Sequence, residues 1–355
     1  MPPYYRTLAR AWERHSMSDP MASLKRMFQG GRLLWPLLGL AALLLYDFIF
    51  VDGFFRIEVR DGHLYGTLID ILNQGSKTML LALGMTLVIA TGGVDLSVGS
   101  LMAISGAIAA VLVTQTEMSL ALIVPIALAA TAVLGLFNGI LVSVAGIQPI
   151  VATLILMVAG RGIAMLITDG QIVTFENPAL VYIGNGHFLG VPFTVTIVLA
   201  TLLLTILLMR KTACGLFVEA TGDNETASRF SGLPTARIKL SVYAFSGICA
   251  GIAGLIAASN IKAADSSRVG EMMELDAIFA VVVGGTALTG GRFSLVGSII
   301  GALLIQTLTT TMITQGVPPA IAPVPKAIVI VAVCLLQSAP FRNQMANIFG
   351  RRAPA

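Results

Sequence analysis

Three glycines, a carboxylate and three hydroxyls stand close together in Ala90–Ser100, which reads ATGGVDLSVGS. The stretch interrupts two apolar runs, MLLALGMTLVIA before it and LMAISGAIAAVLV after it. Three kinds of chemistry suit these residue types. Glycine N–H groups can cradle a phosphate. Gly92 and Gly93 can turn the chain so that Asp95 or Ser97 caps the next helix through its free N–H groups. A rigid polar turn can also stand beside a gate or a partner contact.

The phosphate reading fails on composition. A phosphate loop needs a Lys after its last Gly to reach the β- and γ-phosphates, and no Lys follows a Gly anywhere in the chain. Other catalytic signatures are missing too. There is no H-E-x-x-H, and His15, His63 and His187 stand apart, so no metal site is expected. No G-x-S-x-G nucleophile elbow is present. Cys214, Cys249 and Cys334 share no C-x-x-C spacing and read as small buried hydrophobes. The chain is therefore expected to be no enzyme, with no cofactor of its own.

A second polar region is RKTACGLFVEATGDNETASRFSGLPTARIK, Arg210–Lys239. Asp223 or Asn224 can N-cap a short helix there. Glu225 lies in its first turn, Arg229 near its last, Gly232 is a C-cap candidate and Pro234 follows. Those are start and stop signals in order, with charges matched to the helix dipole. The helix would run about eight residues outside the membrane. Two readings stand: a solvated connector, or a docking helix that a partner grips.

These polar stretches must be held by a membrane bundle. Of 355 residues, 56% are apolar and only 11% charged, against about 45–50% and roughly 25% in a soluble domain. So few charges cannot clothe a soluble surface. An all-α, polytopic membrane bundle is the expected fold. Ten apolar segments are candidate spans: 34–51, 76–91, 97–114, 119–144, 149–168, 192–209, 238–258, 276–289, 295–314 and 325–338. The eighth is short, and Gly284-Gly285 blurs its limits. Gly135 and Gly139, at G-x-x-x-G spacing, suit close helix packing. No cleavable signal is expected, because residues 1–32 precede the first apolar run and that run is long enough to span.

The domain plan follows: a basic tail over 1–32, a transmembrane domain over 33–340 and a short tail over 341–355. In the first tail, Tyr5, Leu8, Ala9 and Trp12 share one helical face, and Arg6, Arg10 and Arg14 the other. An interfacial helix and a disordered basic tail both fit.

Charge orients the chain. Arg6, Arg10, Arg14, Lys25, Arg26, Arg32, Arg210, Lys211, Arg229, Arg237, Lys239, Arg292, Arg342, Arg351 and Arg352 fall on one side of a ten-span layout. Arg56, Arg60, Lys77, Arg161, Lys262, Arg268 and Lys326 fall on or near the other. The excess of Lys and Arg marks the cytoplasmic side, so both termini are expected there. The net charge of +4 thus reports topology, not nucleic-acid binding. Span interiors hold almost no ionisable groups on this layout, which argues against an ion-driven carrier. One internal echo appears: Gly92-Gly93-x4-Val98-Gly99-Ser100 matches Gly290-Gly291-x4-Val296-Gly297-Ser298.

The order of motifs resembles a known family. ALGMTLVIATGGVDLSVGSLMAISGA, then Glu219, Ala220, Gly222, Asn224 and Ala227 with Gly232, then ELDAIFAVVVGG, is similar to permease subunits of ribose-type ABC sugar importers. QPIVATLILMVAGRGIAMLITDGQIVTF (Gln148–Phe175) and DGHLYGTLIDILN (Asp61–Asn73) resemble the galactofuranose type. The resemblance spans roughly residues 35–340. It implies the helical fold of vitamin B12-type importers and a bacterial inner membrane. It implies a second, related permease chain, a cytoplasmic ATPase that carries the ATP and Mg, and a periplasmic binding protein that delivers a monosaccharide. Glu219, Gly222, Asp223, Asn224, Ala227, Arg229 and Gly232 would then meet the ATPase.

Sugar hydroxyls need hydrogen-bonding partners on the way across. Asn73, Asn138, Gln148, Thr153, Gln171 and Gln306 are candidates, although membrane polar groups also join helices. Arg56, Arg60, Lys262 and Arg268 lie on the outer side, where they suit carboxylates on a binding protein or plain solvation. A stand-alone secondary sugar carrier is the alternative function.

Overall fold

The computed structural model describes residues 33–60, 62–318, 321–337 and 341. The expected interfacial helix of the first tail and the basic residues of the last lie outside them.

Every apolar segment marked in the sequence carries a helix. These are α1 (Leu34–Phe50), α2 (Thr67–Ala90), α3 (Val98–Gln115), α4 (Leu120–Ser143), α5 (Pro149–Ile167), α7 (Phe193–Lys211), α10 (Thr235–Ile261), α11 (Met273–Val283), α12 (Leu295–Thr314) and α13 (Pro323–Gln337). Three shorter helices lie between them: α6 (Pro178–Asn185), α8 (Cys214–Asp223) and α9 (Glu225–Phe230). Among the described residues, six helices are long and apolar enough to cross a membrane: α3, α4, α5, α7, α10 and α12.

Two expectations about the spans need correction. The second helix starts at Thr67, not near 76. Its first turns carry Asp70, Asn73, Gln74 and Lys77, which depress hydropathy, yet from Met79 to Ala90 every residue is buried. It is a central helix whose start keeps Asp70 and Gln74 exposed while Asn73 and Lys77 are half-buried. The eighth helix, α11, runs from Met273 to Val283 rather than over 276–289. At 1.5 Å per residue it covers only about 16 Å, roughly half of a hydrocarbon core.

The fold is helical with a little β structure, which the all-α expectation lacked. β1 (Glu58–Arg60) pairs antiparallel with β2 (His63–Tyr65), β3 (Val173–Thr174) with β6 (Ala263–Ala264), and β4 (His187–Phe188) with β5 (Val191–Pro192). Tracing the helices in order places all three ladders at the end opposite the 212–234 loop. There the two hairpins dock, Leu64 N–H donating to the Gly190 carbonyl at 2.9 Å.

α10 is the axis of the bundle. It packs on α2, α3 and α4, and the α4 contact is backbone to backbone. A Cβ on Gly135 would stand 2.4 Å from the Tyr243 carbonyl oxygen, and one on Gly247 would stand 2.3 Å from that of Thr131. Only glycine permits this approach, and dispersion between close backbones is what joins helices where water supplies no drive.

Charge inside the bundle is richer than the sequence suggested. Asp47 on α1 is fully buried and accepts from the Thr311 hydroxyl of α12 at 2.9 Å. Lys326 on α13 pairs with Asp276 on α11 at 3.0 Å. Glu274 on α11 is buried. These groups come from segment ends that look peripheral in a linear reading. Ionisable groups held inside a membrane bundle are the kind an ion-driven carrier uses, so scarce charge does not exclude one.

Candidate functional site

Two glycine turns and a glycine-bearing helix end meet at one end of the bundle. α2 ends at Ala90, and Gly92 follows with φ +77°. Gly290 and Gly291 lie in the α11–α12 loop with φ +89° and +87°. The Gly291 N–H donates to the Ala90 carbonyl at 2.9 Å. Gly222, near the end of α8, closes the junction, since a Cβ on it would stand 1.7 Å from the Ala90 oxygen and 2.5 Å from the Gly291 nitrogen. A Cβ on Gly290 would in turn lie 2.8 Å from the Gly222 oxygen and 3.0 Å from the Gly92 nitrogen. The two copies of the internal echo thus lie side by side with the 212–234 loop keyed between them. Beyond them, Thr86 of α2 donates to Ser298 of α12 at 2.7 Å.

From Gly93 the chain climbs back into the bundle. Asp95 is wholly buried. Its Oδ1 accepts from the Ser97 N–H at 3.1 Å and the Ser97 hydroxyl at 2.6 Å, and its Oδ2 accepts from the Ser246 hydroxyl of α10 at 2.8 Å. Asn138 of α4 donates Nδ2 to Ser97 Oγ at 2.9 Å. Thr153 of α5 and Tyr243 of α10 both donate to the Val94 carbonyl, at 3.3 and 3.4 Å. The expected cap is corrected here. Ser97 is the N-cap of α3 but makes no side-chain cap bond, and Asp95 binds the N–H just before the helix. The carboxylate instead ties the turn to α10. Burial explains the difference: a buried charge must satisfy its lone pairs from whatever donors surround it.

The 212–234 loop contains two helices where one was expected. α8 precedes the anticipated helix and was invisible as a helix beside the apolar run of α7. α9 is capped as its sequence suggests, Asn224 Oδ1 accepting from the Ala227 N–H at 2.9 Å. Glu225 opens it and pairs with Lys239 at 2.5 Å, Arg229 lies in its last turn, and Gly232 follows with φ +86°. Glu219 and Asp223 lie on α8, and Asp223 is exposed. The loop therefore presents α9 and the end of α8 outward, while Gly222 anchors it to the glycine junction.

At middle depth a second non-helical segment descends from the far end. Residues 265–272 run along α5 and α3 before α11 begins. Arg161 of α5 donates Nη1 to the carbonyls of Ser266 and Val269, at 3.2 and 2.5 Å. Gly270 reaches the start of α3, where a Cβ on Gly99 would stand 2.3 Å from the Gly270 oxygen and 2.6 Å from Glu274 Oε2. Arg161, Glu274 and Ser246 were missed as site residues. For Arg161 a signal existed, a lone cation inside an apolar run. For Ser246 there was none.

The proposed path residues do not form one lining. Asn138 and Thr153 meet at the Asp95 turn. Asn73 accepts from Thr194 on α7 at 2.8 Å, Gln306 on α12 lies within contact of Gly75, Gln148 is the exposed N-cap of α5, and Gln171 is exposed beyond the end of α5. Arg56 and Lys262 are exposed at the ladder end, Arg56 beside Glu58 at 3.1 Å, the Arg60 backbone pairs with His63, and Arg268 is exposed on the descending 265–272 segment. At that end His63 and His187 stack with ring centroids 4.3 Å apart, and desolvation together with the His63 charge lowers the pKa of His187. Among the described residues, no three His, Cys, Asp or Glu side chains group to hold a metal ion.

Known proteins resemble the chain along most of its length. The family described as branched-chain amino acid transport system / permease component matches residues 67–335. The galactofuranose transporter permease protein YtfT of Escherichia coli (strain K12) is 48% identical over 325 residues, 90% of this chain and 95% of the relative. The fructose import permease protein FruF of Bifidobacterium longum (strain NCC 2705) is 41% identical over 90% of the chain and 92% of the relative. The ribose import permease protein RbsC of Escherichia coli (strain K12) is 39% identical over 76% of the chain and 85% of the relative. No solved structure gives a significant match.

Proposed function

The chain belongs to the branched-chain amino acid transport system / permease component family, and from that premise we propose that it is the membrane subunit of an ATP-driven monosaccharide importer. Galactofuranose is the first candidate substrate, ribose or a similar sugar the next. The observation that carries the reading is the glycine junction, considered together with the 48% identity to a galactofuranose permease. A chain without a phosphate loop must receive work through contact. The loop bearing α8 and α9 faces outward and is also keyed, through Gly222, to the end of α2 and to the α11–α12 loop.

Force on α9 then has a route. It moves α8, the junction transmits the displacement to α2 and α12, and the Asp95 turn carries it to α3 and α10. The outcome is a population shift between states open to opposite sides, with nucleotide and the loaded binding protein each favouring particular states. In a layout of ten traverses, with α1, α2, α11 and α13 counted beside the six longer helices, the ladder end faces the periplasm and both termini the cytoplasm. The charge excess on the 212–234 side supports that orientation. We assign ATP and Mg to a partner ATPase, and the second half of the path to a related permease chain in a heterodimer of the vitamin B12-importer type. Arg56, Arg60, Lys262 and Arg268 are the basic contacts offered to the binding protein.

The buried Asp95 and Glu274 and the half-buried Asp276–Lys326 pair favour one second reading, a stand-alone ion-coupled carrier. Reconstitution separates the two. The chain with its ATPase, partner permease and loaded binding protein should accumulate sugar only with ATP. Uptake by the chain alone down an ion gradient would overturn the first reading.

A further inference from the structure

We infer that a cavity behind α8 holds one acyl chain of an anionic glycerophospholipid. The cavity measures about 250 Å³ and lies between α7, α8 and α10, with Leu87 of α2 at its floor. Leu208, Met209, Phe217, Val242 and Phe245 are among the apolar residues of its wall.

The polar groups on the wall have no need of water. The Thr205 hydroxyl donates to the Thr201 carbonyl at 2.7 Å, and the Ser241 hydroxyl donates to that of Ile238 at 2.8 Å. A buried water requires two to four polar partners, and an apolar cavity even of about 150 Å³ stays dry and takes up apolar molecules. The apolar matter available here is the bilayer. Leu208 lines the cavity and is also exposed on the side of α7 that carries Leu203, Leu204 and Leu207, so the cavity opens toward lipid.

Charge selects the headgroup. Arg210 and Lys211 form the last turn of α7, between the wall residues Met209 and Cys214, and both are exposed. A chain tail in the cavity puts its phosphate and any further anionic group at this turn. Cations near an anionic surface each add to binding. The bound chain supports α8 beside the glycine junction, because the lining residue Val218 lies one turn before Gly222 on the same helix face and Leu87 one turn before Ala90. The side of the membrane rests on the orientation proposed above, whereas the cavity and its basic rim do not.

Native mass spectrometry of the full chain, from bilayers of phosphatidylcholine with and without phosphatidylglycerol, tests the site. We expect one retained phosphatidylglycerol per chain, favoured over phosphatidylcholine by at least about fivefold. Lys211→Gln should lower that preference about fivefold without abolishing retention. Ser241→Trp, which fills the cavity from its rim, should abolish it. Leu208→Trp provides a second blockade from the lipid side if the first variant fails to fold. Labelling of the exposed Cys214 thiol by a maleimide should be slower in phosphatidylglycerol bilayers for the native chain and unchanged for the filled variants. Equal retention of both lipids, or undiminished retention in a folded filled variant, would overturn the site. Sugar uptake is read separately. Retention without uptake counts against the transport reading alone, and uptake without retention against the lipid site alone.

Discussion

A methyl group on Gly222 would stand 1.7 Å from the carbonyl oxygen of Ala90. That oxygen already accepts from the Gly291 N–H, so it cannot move aside without breaking a backbone bond. The 212–234 loop and the end of α2 are thereby locked as one body. Gly222→Ala should separate them and abolish ATP-driven uptake in the reconstituted complex while leaving the partner ATPase able to hydrolyse ATP. Gly316→Ala is the control. Gly316 has φ +73° but open space around a Cβ, so that variant should lose about 1–2 kcal/mol of local stability and keep transport. Coupled uptake by Gly222→Ala would refute the lock.

Asp95 is predicted to hold the turn through acceptance and not through charge. Asp95→Asn keeps one oxygen for Ser97 and offers Nδ2 to Ser246. Asp95→Ala leaves both hydroxyls buried without their partner, at about 1–3 kcal/mol each. Melting of the purified protein should fall little for Asn and steeply for Ala. Equal losses would show that the charge itself matters.

Arg161 satisfies two carbonyls of a non-helical segment at membrane depth. Replacing it by Leu should cost several kcal/mol, since each orphaned carbonyl costs about 1–3. Arg161→Lys should recover part of this. Hydrogen exchange over residues 265–272 gives the readout, and an unchanged pattern in Arg161→Leu would remove the role.

The Asp276–Lys326 pair joins α11 to α13 and is only partly buried. Lys326→Met alone should destabilise by about 2–3 kcal/mol, below the 3–5 of a wholly buried pair. Lys326→Met with Asp276→Leu should regain most of it. A double variant as unstable as the single one would contradict this.

The folded His187 has its pKa pushed below the ordinary 6.5. Below that value the unfolded chain binds a proton that the folded one refuses, so stability falls as pH falls. Exchange protection in residues 187–192 should therefore weaken between about pH 7.5 and about pH 5.5, a window that brackets 6.5. His187→Asn should flatten the dependence, and a persisting slope would place its origin elsewhere.

The long helices were legible because hydropathy alone specifies them. α3, α4, α5, α7, α10 and α12 start and end close to where the apolar runs do. The Asn224 cap was legible because Asn, Glu, Arg, Gly and Pro follow in mechanical order. What escaped the sequence depends on neighbours. The start of α2 looks soluble until Asn73 meets Thr194. Asp95 looks like a surface cap until Ser246, 151 positions away, reaches it. Gly222 looks like any glycine until Ala90 and Gly291 close on it. Each is a contact between residues far apart in the chain, which no local period encodes.

α11 has one more consequence. Its column of the bundle holds about 16 Å of helix, preceded by a non-helical segment that gives Arg161 two of its carbonyls. The dielectric slab that a hydroxylated solute must cross is thus thinned along that line before anything moves. A gate placed there need only rearrange a segment already solvated by its own protein, which is a far smaller barrier than parting two full-length apolar helices.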